Sequence, residues 1–493
     1  MILAALLLSV ATTPAAPDAV VLENGRYRVE ISLRSGLPDA WERCSARCAQ
    51  EPTRPRASGG SRLRFFAPGD PVGTVVLNTV GYTALQTRRA GRAQVVLTAR
   101  RPLHGRTLEQ RYELDPAGPV LRAVLQFPPG AQLTVAGGHE LVPEELPGLG
   151  GIYSNARAVM VTAGVQETLA DHPDESVEGR PLAAGDWVGV RGRFRALLAR
   201  ADVPLRVGAA ELPQDTPLVM LAPADSAAAT LRLDLFGGTI DRRELRAADP
   251  MLVGTLYAML WQPLRWLSFG LQWILDRWQD LVGRAWLAIL LLSLTVKLLM
   301  APLIVVAERW QADVNRTKSL LEPDLAEVRR QYKGEEAHHR TLAVYRKHGV
   351  SHFYTFKSLA GFAIQVPVFI AAFDMLGENF RIEGEAFLWM PDLAMPDRAA
   401  ALPFALPFFG AHLNLLPLVM TAFTVLAARW QEDASLAPAL RHGQRLRLYA
   451  MAGVFLVLLY TFPAGMVLYW TANNFWHLLR VAWDRWGKRR AAA

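Results

Sequence analysis

Cysteine is nearly absent from this chain of 493 residues, which holds two, Cys44 and Cys48. A scaffold built on several disulfides is therefore excluded, and so is a zinc site made mainly of thiolates. The C-x3-C spacing allows one small disulfide loop in an oxidising compartment, and the alternative is two free thiols. No histidine lies near them in the sequence to complete a metal site.

Motifs of the common enzyme classes are also missing. The sequence has no Gly-rich phosphate loop, no nucleophile elbow and no H-E-x-x-H motif. His412 and His477 are predicted near opposite edges of the membrane, so they do not suggest a shared catalytic site. We therefore expect that the protein is not an enzyme and needs no cofactor.

Acidic residues are missing from the middle of the long apolar runs, whereas one lysine is present. The run from Ala285 to Val306 is long enough to cross a bilayer, and Lys297 is its only charge. Lys297 lies about 13–18 Å from either end of the run, and burying a charge so deeply costs about 2.5–3.5 kcal/mol. We predict a wet or polar cavity around Lys297. The alternatives are neutralisation by another helix or a span with other boundaries.

Four further apolar segments are predicted to span the membrane, at 358–376, 413–428, 448–462 and 464–480. Basic residues are concentrated after the first and third spans and in the C-terminal tail. The positive-inside rule places these segments in the cytoplasm, so the large N-terminal domain is predicted outside. This bias explains the net charge of +8. The basic residues are not clustered with aromatic ones, so no specific nucleic acid partner is expected.

The N-terminal half is predicted to be a targeting segment followed by a β domain. Residues 1–17 resemble a signal peptide, because a short apolar run ends in small residues, although no basic residue precedes it. A short uncleaved anchor is the alternative. Residues 18–250 contain alternating, β-branched runs with Gly, Pro, Asn and Asp at short intervals. This pattern predicts an antiparallel β-sandwich.

The C-terminal half is predicted to be helical. Residues 251–282 mix tryptophans with charges, which predicts an amphipathic helix on the outer membrane surface, the alternative being a further tilted span. Residues 283–486 hold the five spans. The pattern of residues 308–352, between the first two spans, predicts two helices joined near Gly334. This cytoplasmic hairpin either docks partners or is a solvated connector. Residues 487–493 form a short basic tail.

Polar side chains inside the predicted spans accompany Lys297. They are Ser293, Thr295, Gln365, Thr421, Thr424, Thr471, Asn473 and Asn474. Each alone commonly joins two helices, but together with Lys297 they predict a hydrophilic groove. The last three spans are short, since about 16 residues cover about 24 Å against about 30 Å of hydrocarbon. Local thinning of the bilayer beside such a groove would ease the passage of a hydrophilic segment; frayed span ends are the alternative.

Five stretches of the C-terminal half resemble the YidC membrane protein insertase family. They are Gln262–Leu264, Leu294–Leu303, Ile364–Phe369, Phe387–Leu393 and Phe462–Trp470. Their order and their coincidence with the predicted spans make the resemblance specific over residues 256–482. Gly185–Val190 also resembles a local family segment in the outer domain. This indicates the Gram-negative form with a large periplasmic domain.

The resemblance implies a membrane α-helical, five-span insertase core with a cytoplasmic hairpin and a β-sandwich-type periplasmic domain, located in the bacterial inner membrane with its C-terminus in the cytoplasm. In this family a positive groove residue, usually arginine, receives the polar or acidic part of a substrate. Lys297 stands at that position with the same charge but without the bidentate fork of arginine. Gln365 matches a polar position that lines the groove.

The partners that the resemblance implies are nascent membrane proteins, the lipid bilayer and the Sec translocon. Ribosome contact through the short tail is expected to be weak. The expected function is that of a membrane protein insertase and chaperone, alone or with the Sec translocon, without ATP hydrolysis. The alternatives are a Sec-associated chaperone that cannot insert proteins by itself, and a transporter or channel, which normally shows internal repeats or broken helices.

Overall fold

A computed structural model of the chain describes residues 19–44, 62–66, 81–89, 92–102, 105–136, 141, 146–153, 156–169, 177–212, 216–351, 354–431 and 438–492. The signal-like segment 1–17 and Cys48 lie outside these residues, so cleavage and the disulfide stay predictions. The chain forms two compact units. One comprises Met1–Pro143 and Ala156–Leu256, and the other Glu144–Asn155 and Tyr257–Ala493.

The first unit is rich in β-structure, as the sequence predicts. Its strands are β1 (Ala19–Glu23), β2 (Tyr27–Ser32), β3 (Pro38–Arg43), β4 (Arg62–Phe66), β5 (Tyr82–Arg89), β6 (Arg92–Ala99), β7 (Glu109–Leu114), β8 (Val120–Gln126), β9 (Gln132–Ala136), β10 (Arg157–Thr162), β11 (Val165–Thr168), β12 (Val177–Leu182), β13 (Trp187–Arg191), β14 (Arg195–Ala201), β15 (Leu205–Leu212), β16 (Thr216–Pro223) and β17 (Thr230–Thr239). One short helix, α1 (Arg242–Ala248), follows them.

Most of these strands belong to two sheets with antiparallel pairing. One has nine strands in the order β11-β10-β13-β14-β17-β8-β7-β6-β5, and the other has five in the order β12-β15-β16-β9-β4. Alternate residues of β7 are buried, as expected of a strand with one face on the core. A single buried apolar cluster contains Val95 and Leu121 of the first sheet with Val207 and Val219 of the second. The shared core gives the unit its sandwich character.

A buried tryptophan connects the nine-stranded sheet to the segment that follows α1. Trp187 is fully buried, and its Nε1 donates to Asp249 Oδ2 at 3.2 Å. The guanidinium of Arg200 lies 4.8 Å from the Trp187 ring centroid, and Arg200 pairs with Asp234 at 2.6 Å and with Asp249. Asp249 also accepts a bond from Met251 N at 2.7 Å. One cluster therefore fixes β13, β14 and the segment that leaves the β domain.

The second unit is mainly helical. Its helices are α2 (Gln262–Val282), α3 (Ala285–Gln331), α4 (Gly334–Lys347), α5 (Ala360–Gly377), α6 (Leu416–Trp430), α7 (Pro438–Leu459) and α8 (Ala464–Ala492), with a hairpin of β18 (Ala400–Leu406) and β19 (Gly410–Leu413) before α6. Each predicted span lies largely within α3, α5, α6, α7 or α8. Within the described ranges, only α3 is long and apolar enough to cross a membrane by length and composition, while α5 and α6 contain shorter apolar helices.

The helix that contains the first predicted span continues beyond its apolar run. The sequence predicts a span to residue 306 and a separate helix from 308, whereas α3 is continuous over 47 residues. The segment contains no glycine, and Pro302 and Pro323 lie inside the helix, each removing one backbone hydrogen bond. Lys297 and the base of the predicted hairpin therefore belong to one helix.

The amphipathic helix is shorter than the predicted block 251–282. Residues Pro250–Thr255 form a 3₁₀ helix, and α2 begins at Gln262. Trp261 and Trp266 are 68 % and 66 % exposed, whereas Leu271 and Leu275 are buried. This division between an exposed and a buried side agrees with the predicted amphipathic character.

One segment that the sequence assigns to the β domain belongs to the helical unit instead. Gly148–Tyr153 forms a 3₁₀ helix, and the N–H of Gly150 donates to Thr461 Oγ1 at 3.1 Å. A Cβ at Gly150 would collide with the backbone carbonyl of Thr461, so the approach requires glycine. Tyr153 packs its ring edge on Phe462 at 5.7 Å. The sequence shows no boundary here because the contact partners are distant in the chain.

The end of α3 and α4 pack as a helical hairpin. Val344 of α4 shares a small core with Leu321 and Val328 of α3. Asp324 of α3 lies 2.9 Å from Lys347 Nζ and 2.9 Å from His348 Nε2 at the end of α4. The hydrogen bond with His348, followed by that with Lys347, holds the pKa of Asp324 below its ordinary value of 3.8. The carboxylate thus links the two helices in its charged form.

Asp324→Asn is expected to loosen α4 from α3, because it removes the charge that Lys347 and His348 contact. A carboxyl whose pKa is lowered on folding stabilises above its unfolded pKa, and that stabilisation disappears as the pH falls through the folded value. In the wild type, hydrogen exchange in α4 should therefore accelerate as the pH falls below about 4, after correction for intrinsic exchange. Asp324→Asn should show the faster exchange already at neutral pH. Glu336→Gln, which removes the ion pair with Arg340 inside α4, is the control, and equal exchange in both variants would contradict the assignment.

Candidate functional site

A cavity of about 440 Å³ is lined by α3, α5 and α8. Its polar lining residues are Lys297, Glu308, Gln311, Gln365, Asn473, Asn474, His477 and Arg480. Its apolar lining residues are Val296, Met300, Ile304, Ala307, Ile364, Val368, Phe369, Tyr469 and Trp470. The lining positions of α3 and α8 recur at intervals of mostly three or four residues, which places them on one face of each helix.

Lys297 is half-buried in this cavity. Its Nζ donates to the backbone carbonyl of Asn473 on α8 at 3.0 Å. This partner is neutral, and the carboxylate of Glu308 in the same cavity forms its ion pair with Arg480 instead. The geometry therefore agrees with the cavity interpretation of Lys297 better than with neutralisation by a paired carboxylate.

Three other predicted groove residues lie beside Lys297. Gln365 of α5 and both Asn473 and Asn474 of α8 line the cavity. Asn473 Nδ2 donates to Tyr469 O at 3.0 Å. Gln365 remains exposed. These amide groups leave the cavity wall polar at the depth of the lysine.

The five predicted hydroxyl residues do not line the cavity. Each donates to a backbone carbonyl three or four residues earlier in its own helix: Ser293 to Leu290, Thr295 to Leu291, Thr421 to Pro417, Thr424 to Met420 and Thr471 to Val467, at 2.7–3.2 Å. A helix can satisfy such hydroxyls internally. Their presence in an apolar segment therefore does not require a polar groove.

Several of these hydroxyls connect helices, which was the alternative interpretation. Ser293 accepts a hydrogen bond from Trp476 Nε1 at 3.0 Å, and Thr295 accepts one from Trp278 Nε1 at 3.0 Å. Thr424 accepts one from Asn474 Nδ2 at 2.9 Å. They support the walls of the cavity by fixing α8, α2 and α6.

Sequence reasoning missed four polar residues of the cavity. Glu308 and Gln311 continue the face of Lys297 along α3, and His477 and Arg480 continue the face of Asn473 along α8. Glu308 and Gln311 lie beyond the predicted end of the first span at residue 306. His477 and Arg480 lie inside the predicted span 464–480, where their three-to-four spacing from Asn473 could have revealed them. Among the described lining residues, two cations and one carboxylate give a net positive charge.

Apolar and aromatic surface lies beside the polar wall. Phe369 of α5 contacts Trp470 of α8 with ring centroids 4.7 Å apart, and Trp470 stacks on Phe455 of α7 at 5.2 Å. Val366 of α5 and Val454 of α7 are 42 % and 60 % exposed. A segment with a polar and an apolar part therefore finds both kinds of surface within a short distance.

The helical region matches a known family. Residues 278–485 match the family model described as 60Kd inner membrane protein. A membrane protein insertase YidC of Chloroherpeton thalassium is 22% identical over 323 residues, which cover 62% of this chain and 53% of the relative. A membrane protein insertase YidC of Helicobacter pylori is 29% identical over 251 residues, which cover 49% of this chain and 40% of the relative. The chain spans about half the length of the curated relatives it matches.

Similarity to solved structures is weak. The match to a crystal structure of an active YidC insertase with its first transmembrane domain resolved covers 94% of this chain and 92% of the insertase chain. The sequence identity is 14% and the TM-score is 0.36. A score this low does not establish a common fold. The family match rests on the sequence of the helical region, which contains every residue that lines the cavity. Residues 278–485 are therefore similar to the 60Kd inner membrane protein family, and the curated relatives that this chain resembles are named membrane protein insertase YidC.

Proposed function

We propose that this protein inserts other proteins into the bacterial inner membrane. The observation that carries this proposal is Lys297, a lysine within an apolar helical segment whose side chain reaches a polar cavity and contacts a neutral carbonyl. Retaining such a charge inside a membrane is costly, which makes an intramembrane ionisable residue a functional candidate. The names of the relatives agree with this function.

The proposed substrate is a short polar or acidic tail joined to an apolar segment. The tail enters the cavity from the cytoplasm, where Lys297 attracts its carboxylate. The ammonium group of Lys297 replaces part of the water that the carboxylate of the substrate loses. The apolar segment follows the exposed apolar surface of α5 and α7 into lipid. Burial of that segment, about 0.8 kcal/mol per CH₂ group, supplies the driving force without nucleotide hydrolysis.

The proposed topology follows the charge bias of the sequence. We place five spans within α3, α5, α6, α7 and α8, with the hairpin of α3 and α4 in the cytoplasm and the β domain in the periplasm. The exposed tryptophans of α2 favour a position at the outer membrane surface. The Sec translocon and, more weakly, the ribosome are the proposed partners besides nascent membrane proteins.

Reconstitution into liposomes tests the proposed activity. A single-span substrate with an acidic tail is added to liposomes that hold the purified full-length protein, and protease protection measures the transferred tail. Insertion above that of protein-free liposomes is expected. Insertion that appears only after the Sec translocon is added would contradict autonomous insertion and favour the chaperone alternative.

A further inference from the structure

The cavity contains a second cation besides Lys297. Arg480 of α8 forms an ion pair with Glu308 of α3, and both side chains line the cavity. Glu308 lies about three helical turns, or about 16 Å, along α3 from Lys297 and on the same face. In the proposed topology this position is closer to the cytoplasm, so a substrate that enters from there meets Arg480 before Lys297.

Both partners of this ion pair are accessible to water. The side chains of Arg480 and Glu308 are 43% and 50% exposed. An ion pair at such an accessible site is weak, because water and salt screen it. Another carboxylate can therefore replace Glu308 without leaving a buried charge unpaired. Lys297 is less accessible and has a neutral partner, so it is suited to a later, deeper step.

The geometry points to Arg480 as the first docking group for the carboxylate of an entering substrate, with Glu308 occupying that position until the substrate arrives. The guanidinium presents two parallel N–H groups to a carboxylate, which a lysine cannot do. The carboxylate then passes to Lys297, and Glu308 returns to Arg480. This inference rests on the proposed function and concerns the order of its steps.

A purely structural role for the same ion pair makes a different prediction. If the pair only joins α3 to α8, removal of either partner loosens the same contact and shifts substrate binding in the same direction. If Glu308 competes with the substrate, removal of Glu308 strengthens binding of an acidic tail, whereas removal of Arg480 weakens it. Opposite signs therefore exclude a purely structural role.

The test measures capture of a substrate by full-length protein in nanodiscs of uncharged phospholipid. A photocrosslinking residue placed at Met300, on the cavity wall, reports the substrate concentration that gives half-maximal crosslinking. Two single-span substrates are compared, one with two aspartates in its tail and one with two asparagines. Because lipid partitioning of each substrate is the same in every variant, the ratios between variants report the cavity alone.

For the aspartate tail, Glu308→Gln is expected to lower the half-maximal concentration about two- to fivefold, and Arg480→Gln to raise it about two- to fivefold. The asparagine tail should respond to neither change. The matched control is Glu322→Gln, which removes a comparable ion pair with Arg329 on α3, at 2.5 Å, from a position that does not line the cavity. It should leave both substrates unaffected.

Shifts of the same sign for Glu308→Gln and Arg480→Gln would overturn the inference, and so would equal shifts for the two tails. Insertion into liposomes is a separate measurement. If opposite shifts occur but the wild type inserts nothing, docking at Arg480 stands and the proposed insertase function fails. If the wild type inserts its substrate but the shifts share one sign, the proposed insertase function stands and docking at Arg480 fails.

Discussion

Replacing Lys297 with glutamate is expected to lower the insertion rate of an acidic-tailed substrate at least tenfold. An ion pair at about 4 Å is worth up to about 4 kcal/mol near a protein surface, whereas a tenfold change in rate requires about 1.4 kcal/mol. Glutamate removes this attraction and adds repulsion. Lys297→Ala removes only the attraction and should cause a smaller loss, while Lys297→Arg should retain most of the activity because it keeps the charge.

The initial rate of tail protection in liposomes measures these effects. Lys333→Glu makes the same substitution at an exposed position between α3 and α4, and it should leave the rate unchanged. Circular dichroism checks that each variant keeps its helix content. If Lys297→Ala and Lys297→Glu insert the substrate as fast as the wild type, Lys297 is structural and the apolar surface of α5 and α7 must account for insertion.

Trp187→Ala is expected to cause the largest loss of stability in the β domain. The side chain is fully buried, and replacing a buried tryptophan with alanine typically costs about 3–5 kcal/mol. The change also removes the indole N–H that donates a hydrogen bond to Asp249 and the ring that the guanidinium of Arg200 contacts. Trp187→Phe keeps most of the ring and loses the donor, so its cost should be smaller, about 1–3 kcal/mol.

Hydrogen exchange of the amides in β13 and β14 measures this loss in the full-length protein, where a single unfolding transition is not expected. Protection of these amides should fall in Trp187→Ala and fall less in Trp187→Phe. Trp266→Ala on α2, where the side chain is 66% exposed, should leave them unchanged. Unchanged protection in Trp187→Ala would contradict the role of the Trp187 cluster as an anchor of the β domain.

The sequence predicted the type of structure more reliably than its boundaries. The alternating run from Tyr27 corresponds to β2, and the run from Val120 corresponds to β8, because alternation follows directly from a strand with one buried face. The length of α3 was not predictable, because hydropathy changes near residue 306 while the backbone continues as one helix to Gln331. A change of solvent does not require a change of secondary structure.

The cavity was only partly predictable for a related reason. Lys297 cannot satisfy its charge within its own helix, so its position in an apolar run indicated a polar environment directly. The serine and threonine hydroxyls can bond to their own helix, so their position in an apolar run does not indicate a polar environment. The ion pair of Glu308 with Arg480 joins positions 172 residues apart, so helical spacing could place each residue on the cavity face but could not reveal their contact.

A charge-exchange experiment tests whether Lys297 receives the charge of the substrate. Wild type and Lys297→Glu are each reconstituted into liposomes without a membrane potential, and each is given two single-span substrates that differ only in an acidic or a basic tail. We expect the wild type to prefer the acidic tail and Lys297→Glu to prefer the basic tail. A loss of insertion by the same factor for both tails in Lys297→Glu would contradict it, because the lysine would then support the structure without receiving the charge of the substrate.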